Sequence, residues 1–132
     1  MKLGFIGTGK ITESVVTGIS SSKIKYSKIL VSPRNLYIAK KLSKKNKKVS
    51  IGKSNQEIIN SCDWIFLAVT PTVGEKIIKT LKFKSNQTII SFISTITLPR
   101  LKKLINVKAK IFRAIPLPPC LLYTSPSPRD KR

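Results

Sequence analysis

A glycine pair near the start of the chain has the spacing of a phosphate-binding turn. An apolar stretch runs directly into Gly7-Thr8-Gly9, and Lys10 and Ile11 then begin an amphipathic helical pattern. Gly7 permits a tight turn from strand to helix, and Gly9 lets a phosphate approach the backbone because it has no side chain. The N–H groups of the first helical turn would then meet the anion. The pattern predicts a dinucleotide-binding turn, with a plain glycine-rich turn as the alternative.

The end of the second predicted strand bears on which dinucleotide is bound. This strand, Lys28 to Val31, runs into Ser32-Pro33-Arg34-Asn35 without a carboxylate. NAD sites usually place Asp or Glu here to bind the ribose hydroxyls. A carboxylate would repel a 2′-phosphate, whereas Arg34 and Ser32 can hold one by charge and hydrogen bonds. The sequence therefore favours NADP over NAD, and an ordinary proline turn with a surface arginine is the alternative.

Several kinds of chemistry are excluded by what the sequence lacks. There is no histidine, which removes histidine-based metal sites, histidine general bases and the Ser-His-Asp arrangement, and we predict no metal. Cys62 and Cys120 do not suggest a disulfide framework, and Cys62 is predicted to be a small apolar core residue. The apolar runs are too short to cross a bilayer and the start has no signal-peptide pattern, so we expect a cytoplasmic protein.

The residues that could do chemistry are positioned by alternating strands and helices with short connections. This alternation predicts an α/β fold of the Rossmann type: a doubly wound, mostly parallel sheet with flanking helices, over residues 1–119. The predicted strands are Lys2–Ile6, Lys28–Val31, Val49–Ile51, Trp64–Val69, Thr88–Ile93 and Ala109–Ala114. The first predicted helix follows Gly9, and the second runs from Leu36 to about Leu42. The third is capped by Asn55, the fourth begins at Pro71, and the fifth runs from Leu98 to Leu104. Thr12, where the fingerprint usually has a smaller residue, is expected to loosen the packing of the first helix against the strand slightly.

The charge balance raises a second class of function. The chain has 26 basic and 5 acidic residues and a net charge of +21. The densest basic run, residues 40–48, has no interleaved aromatic residue on which a base could stack. We therefore expect no specific nucleic-acid binding, although a non-enzymatic nucleotide-binding or polyanion-binding module is the alternative to an enzyme.

The same residues resemble the N-terminal part of the pyrroline-5-carboxylate reductase family. The resemblance runs from Gly4–Gly18 through Ser32–Asn35 and Asn55 to Asp63–Pro71, where the family reads roughly D-x-[IV]-[IFL]-L-A-V-K-P, and ends at Arg113–Pro116. It implies an NADPH-dependent oxidoreductase that reduces the C=N bond of 1-pyrroline-5-carboxylate to give proline. In such an enzyme the cofactor supplies the redox chemistry and the protein orients it.

The resemblance also implies roles for particular residues, although it assigns no catalytic one. The residues expected to face the adenosine 2′-phosphate are Ser32, Arg34, Asn35 and Asn55. The residues expected to line the nicotinamide side are Ala68, Val69, Thr70 and Pro71.

Three departures from the family pattern leave the substrate open. Thr70 stands where the family usually has Lys, Ser94-Thr95 where it has Ala-Gly, and Leu117 where it has Asn. All lie toward the nicotinamide and substrate side. A sister reductase that acts on another imine, or that uses a deazaflavin cofactor, is therefore the alternative within this superfamily.

The resemblance further implies a second, all-helical domain that builds a homo-oligomer and much of the substrate site. This domain is missing from the sequence, so we expect an N-terminal piece with little or no turnover and no oligomer of its own. Residues 120–132 resemble the translation of a sequencing adapter and are expected to be a non-native, disordered tail. A genuine Pro-Ser-rich linker is the alternative.

Overall fold

In a computed structural model of the chain, the structure describes residues 1–7, 9–93 and 95–114. Strands and helices alternate throughout these residues. The strands are β1 (Lys2–Ile6), β2 (Lys28–Val31), β3 (Val49–Ile51), β4 (Trp64–Leu67), β5 (Thr88–Ser91) and β6 (Lys110–Arg113). The helices are α1 (Lys10–Ser20), α2 (Leu36–Lys45), α3 (Asn55–Ser61), α4 (Pro71–Thr80) and α5 (Leu98–Ile105).

The six strands form one sheet in the order β3-β2-β1-β4-β5-β6. Every neighbouring pair is parallel, with Phe5 of β1 aligned to Val31 of β2 and to Phe66 of β4. The strand order therefore reverses between β1 and β4, which is the switch point of a doubly wound sheet. The predicted Rossmann-type fold is confirmed.

Apolar side chains cover both faces of the sheet, as expected for parallel strands with helices on each side. On one face, Ile58 of α3, Ile78 of α4 and Leu101 of α5 belong to one buried cluster. On the other face, α1 and α2 pack over a second cluster that contains the stacked rings of Phe5 and Phe66, with centroids 4.5 Å apart. The two layers hold the carboxyl ends of the strands in a fixed arrangement.

Some boundaries differ from the predicted ones. The helix from Leu36 continues to Lys45, and the fourth and fifth strands end earlier, at Leu67 and Ser91. The prediction that Asn55 caps α3 was wrong: Ser54 is the cap, and its Oγ accepts the N–H of Glu57 at 3.2 Å. Leu117 and the expected tail at residues 120–132 lie outside the described residues.

One buried amide ties the helical layer to the sheet. Gln87, which precedes β5, is 2% exposed. Its Nε2 donates to the carbonyls of Ile59 and Cys62, at 2.5 and 2.9 Å, and its Oε1 accepts the N–H of Lys84 at 2.9 Å. The side chain therefore satisfies two buried carbonyls at the end of α3 and one partly buried amide before β5.

We expect Gln87→Met to lower the free energy of unfolding by about 3 kcal/mol, because it leaves the two buried carbonyls of Ile59 and Cys62 without this donor. Gln56 provides a matched control, since its amide also bridges two segments but its hydrogen bonds with Asn60 and Lys82 are exposed. We expect Gln56→Met to lower stability by less than about 1 kcal/mol, because water replaces the lost bonds. Urea unfolding of both variants measures the difference, and equal effects would contradict the assigned role of Gln87.

Candidate functional site

Two adjoining cavities lie at the carboxyl ends of the strands around the switch point. The first has a volume of about 450 Å³. Its lining residues are Gly7, Gly9, Arg34, Asn35, Leu36, Ala68, Val69, Thr70 and Val73. The second, of about 420 Å³, shares residues 68–70 and Gly9 with the first and adds Lys10, Ile11, Phe92 and Ile93. Ligands of open α/β sheets bind at this position.

Gly7 fixes the floor of the first cavity. Its φ of +98° is a conformation that residues with a side chain rarely adopt. A Cβ here would collide with the carbonyl of Ala68 and come within 2.7 Å of Val69 Cγ1. The ends of β1 and β4 are also tied together directly, because Ala68 N–H donates to the carbonyl of Ile6 at 2.8 Å. Gly7 is therefore required by the fold itself.

Gly9 is a different case, because no contact among the described residues requires a glycine there. Its φ of −126° and ψ of −159° are extended values that any residue adopts. A Cβ at this position would meet no atom within 4 Å. Gly9 lines both cavities, so the missing side chain leaves room for a bound group to approach the backbone. This is the fit that a phosphate-bearing cofactor needs.

The helices that begin at the cavities also start without side-chain caps. Helices α2, α3 and α5 are capped by the side chains of Asn35, Ser54 and Thr97. By contrast, Gly9 before α1 and Thr70 before α4 make no side-chain cap hydrogen bond. Capping normally satisfies N–H groups of the first turn. At α1 these donors therefore lie beside the cavity with no side-chain acceptor from the N-cap residue, where an anion can use them.

The polar wall of the first cavity comes from the segment after β2. Arg34 and Asn35 are exposed and line the cavity. The Asn35 Oδ1 accepts the N–H of Ile38 at 3.3 Å, so this side chain is engaged as the cap of α2. Neither cavity has an Asp or Glu among the described residues that line it. The guanidinium of Arg34 is therefore placed to meet an anion without a competing carboxylate.

Ser32 is not among the residues that line either cavity, so its contact with a 2′-phosphate stays a prediction. Its side chain is buried, at 1% exposure. Its Oγ accepts the N–H of Gly7 at 3.1 Å. Thr12 is also fully buried, and its Oγ1 donates to the carbonyl of Gly7 at 2.5 Å. The expected loosening of α1 by Thr12 is wrong, because the side chain is packed and hydrogen-bonded.

The other predicted site residues fall into three groups. The residues that line one or both cavities are Gly7, Gly9, Lys10, Ile11, Arg34, Asn35, Ala68, Val69 and Thr70. Asn55 is the first residue of α3 and is not among the lining residues, so its contact with a 2′-phosphate stays a prediction. Thr8 lies outside the described residues. Pro71 begins α4 directly after the cavity residue Thr70.

Sequence reasoning missed four lining residues, all of them apolar: Leu36, Val73, Phe92 and Ile93. Phe92 and Ile93 directly follow β5, and β5 pairs with β4. A parallel sheet brings the residues after neighbouring strands to one edge, so strand order would have found them. Phe92 and Ile93 give the second cavity a largely apolar wall, which suits a flat ring, although Lys10 also lines it, whereas Arg34 lines the first cavity.

Cys62 does not belong to this site. It is 4% exposed and lies at the amino end of β4, whereas the cavities lie at the carboxyl ends of the strands. Burial, with a contribution from Asp63, raises the pKa of its thiol to about 11. The thiol is therefore protonated at neutral pH and packs as an apolar core side chain, as predicted.

Two further features are absent from the described part of the chain. It contains no group of three or more His, Cys, Asp or Glu side chains that could hold a metal ion. No described helix has the length and apolar character needed to cross a membrane.

Comparisons with known proteins agree with this geometry. Residues 2–95 match the family described as NADP oxidoreductase, coenzyme F420-dependent. Pyrroline-5-carboxylate reductase 3 of Danio rerio is 31% identical over 125 residues, which are 92% of this chain and 43% of that protein. The bovine (Bos taurus) protein of the same name is 24% identical over 127 residues, covering 92% of this chain and 40% of its own. The predicted resemblance to pyrroline-5-carboxylate reductases is confirmed.

Solved structures give the same result. The 1-pyrroline-5-carboxylate reductase from Streptococcus pyogenes is 29% identical with a TM-score of 0.64, over 79% of this chain and 38% of that one. The Plasmodium falciparum pyrroline carboxylate reductase, solved with NADP bound, is 26% identical with a TM-score of 0.69, over 85% of this chain and 41% of that one. The chain thus spans about two fifths of the length of these relatives.

The two cavity glycines should respond oppositely to substitution. We expect Gly7→Ala to lower the free energy of unfolding by roughly 2 to 4 kcal/mol, because the new Cβ meets the backbone at Ala68 in a left-handed conformation. We expect Gly9→Ser to leave stability unchanged within about 0.5 kcal/mol, because serine is a good N-cap and the space is open. Thermal unfolding of both variants checks this. A large loss of stability in Gly9→Ser would show that the glycine serves the fold.

Proposed function

This chain belongs to the family described as NADP oxidoreductase, coenzyme F420-dependent, and from that premise we propose that it is the dinucleotide-binding part of an NADPH-dependent reductase. The reaction we propose for the intact enzyme is reduction of the C=N bond of 1-pyrroline-5-carboxylate to give proline. The nearness of this chain to proteins named pyrroline-5-carboxylate reductase supports that choice of substrate.

The observation that carries the proposal is the open space at Gly9 beside the uncapped start of α1. A pyrophosphate needs backbone N–H donors, a positive helix end and room to approach the backbone, and Gly9 with the first turn of α1 supports all three. Lys10 follows directly and adds a positive charge at the second cavity. The pyrophosphate would therefore span the boundary between the two cavities.

The preference we propose for NADPH over NADH is supported by Arg34. Its guanidinium lies at the end of β2, where the adenosine ribose of a dinucleotide is bound in folds of this type. A guanidinium can form two charge-assisted hydrogen bonds with a 2′-phosphate, and no described carboxylate lines the cavity to repel one. Asn35 is less suited to this contact, because its Oδ1 already caps α2.

The nicotinamide would lie in the second cavity. The side chains of Ile11, Val69, Phe92 and Ile93 form its apolar wall. A wall of this kind holds a flat ring and excludes water, while NADPH supplies the hydride when it is bound. The protein residues would therefore contribute binding and orientation, and we assign no acid or base among them.

The substrate could differ within the same family. The family description names coenzyme F420, a deazaflavin, and Thr70 stands in the second cavity where the resembling reductases usually have Lys. The apolar wall would accept a deazaflavin ring as well as a nicotinamide.

A cytoplasmic location and a homo-oligomeric intact enzyme stay predictions.

We expect Arg34→Gln to weaken NADPH binding roughly 10- to 100-fold, because it removes a charge-assisted contact with the 2′-phosphate, while NADH binding stays nearly unchanged. Fluorescence titration of both nucleotides against the chain measures the two dissociation constants. Arg100→Gln is the control, since Arg100 is paired with Glu75 at 2.9 Å and does not line either cavity. Equal losses for both nucleotides would remove Arg34 from the 2′-phosphate.

We expect the chain alone to bind NADPH and to turn over 1-pyrroline-5-carboxylate little or not at all, because it spans only about two fifths of the length of the reductases it matches. The measurement is loss of NADPH absorbance with the substrate present, with oxidation of reduced coenzyme F420 by NADP as the parallel assay. Absence of NADPH binding would overturn the proposed function. Oxidation of reduced coenzyme F420 by NADP, without turnover of 1-pyrroline-5-carboxylate, would favour the deazaflavin-dependent alternative.

A further inference from the structure

We propose that Thr12 and Ser32 act together as positioning residues that hold Gly7 in the orientation required for dinucleotide binding, an inference that rests on the proposed function. Both backbone polar groups of Gly7 are bonded by side chains. The Gly7 carbonyl accepts from Thr12 Oγ1 at 2.5 Å, and the Gly7 N–H donates to Ser32 Oγ at 3.1 Å. We call this pair of side chains the Gly7 clamp.

The clamp joins three separate parts of the fold. Thr12 lies in the first turn of α1, Ser32 directly follows β2, and Gly7 directly follows β1. Both clamp side chains are buried, at 0% and 1% exposure. Because water cannot replace these two bonds, the direction of the Gly7 backbone depends on them.

The clamp is needed because the backbone of Gly7, as a glycine, does not select one conformation by itself. Glycine reaches many backbone conformations with little strain, so its observed φ of +98° has to be selected by its surroundings. Packing against Ala68 and Val69 restricts one side of the residue. The clamp restricts its two polar groups, and so holds Gly7 relative to the first turn of α1 and the residue that follows β2.

This assignment changes the role of Ser32. Ser32 stands two residues before Arg34, at the adenosine end of the site, but its buried Oγ is directed to the turn between β1 and α1. Its contribution should therefore affect the pyrophosphate, which NADPH and NADH share. Arg34, in contrast, should act on the 2′-phosphate, which only NADPH has.

The test compares dissociation constants for NADPH and NADH in Thr12→Val, Thr12→Ser and Ser32→Ala. We expect Thr12→Val and Ser32→Ala to weaken both nucleotides by a similar factor, roughly 3- to 10-fold, which corresponds to one hydrogen bond. We expect Thr12→Ser, which keeps the hydroxyl, to retain the wild-type affinity. A change in the ratio of the two constants in Ser32→Ala would assign Ser32 to the 2′-phosphate, and unchanged affinities in Thr12→Val would overturn the clamp.

A measurement without nucleotide separates the clamp from the proposed function. Amide hydrogen exchange should show faster exchange at Gly7 in Thr12→Val and Ser32→Ala, with the core amide of Ile65 in β4 still protected. Thr12→Ser should exchange at Gly7 like the wild type. If the wild-type chain binds neither nucleotide, the proposed function fails, and the exchange rates alone then decide whether Thr12 and Ser32 hold Gly7. Unchanged exchange at Gly7 in both variants would overturn the clamp.

Discussion

The close passage of Gly7 against the backbone at Ala68 is the constraint on which the site depends. β1 and β4 are neighbours in the sheet, yet the helices that follow them, α1 and α4, pack on opposite faces. The two chain segments therefore diverge directly beyond a point where they must touch. A side chain at residue 7 would push them apart, whereas glycine lets them meet and leaves the divergence as a cleft.

The helices that begin at the cavities differ from the others in how their first turns are capped. Three helices start with a side chain that accepts an N–H of the first turn, an interaction that contributes about 1 kcal/mol. The two helices that start at the cavities lack it. Gly9 has open space and an ordinary extended backbone, so a serine there would fit the fold. Under the proposed function, a bound anion would take the place of the missing cap at this position.

The order of elements and most of the cavity wall could be predicted from local sequence patterns. Alternating strands and helices, the glycine spacing and the missing carboxylate after β2 are each readable within a few residues. The position of Ser32 could not be predicted, because its partner Gly7 lies 25 residues earlier and the two meet only when β1 and β2 pair. Local pattern placed Ser32 with Arg34, whereas the pairing of the strands directs its hydroxyl to the turn.

The roles of Thr12 and Asn55 also could not be predicted from residue type alone. Thr12 was expected to be too large because this position of the fingerprint usually has a smaller residue. Its hydroxyl instead donates a hydrogen bond to the carbonyl of Gly7, which Gly or Ala at this position could not do. Asn55 looked like a cap because asparagine caps well, but Ser54 occupies the preceding position and takes that role. In both cases residue type was informative, and the neighbouring backbone decided its use.

The large positive charge of the chain and the local geometry of the site contribute in different ways. Within the described residues only two ion pairs form, Lys41–Glu13 and Arg100–Glu75, and both are substantially exposed, so they add little to stability. The remaining positive field attracts any anion and is screened beyond about 8 Å at physiological salt. It therefore cannot distinguish a dinucleotide from another polyanion. Under the proposed function, that distinction comes from two short-range features, the open backbone at Gly9 and the guanidinium of Arg34.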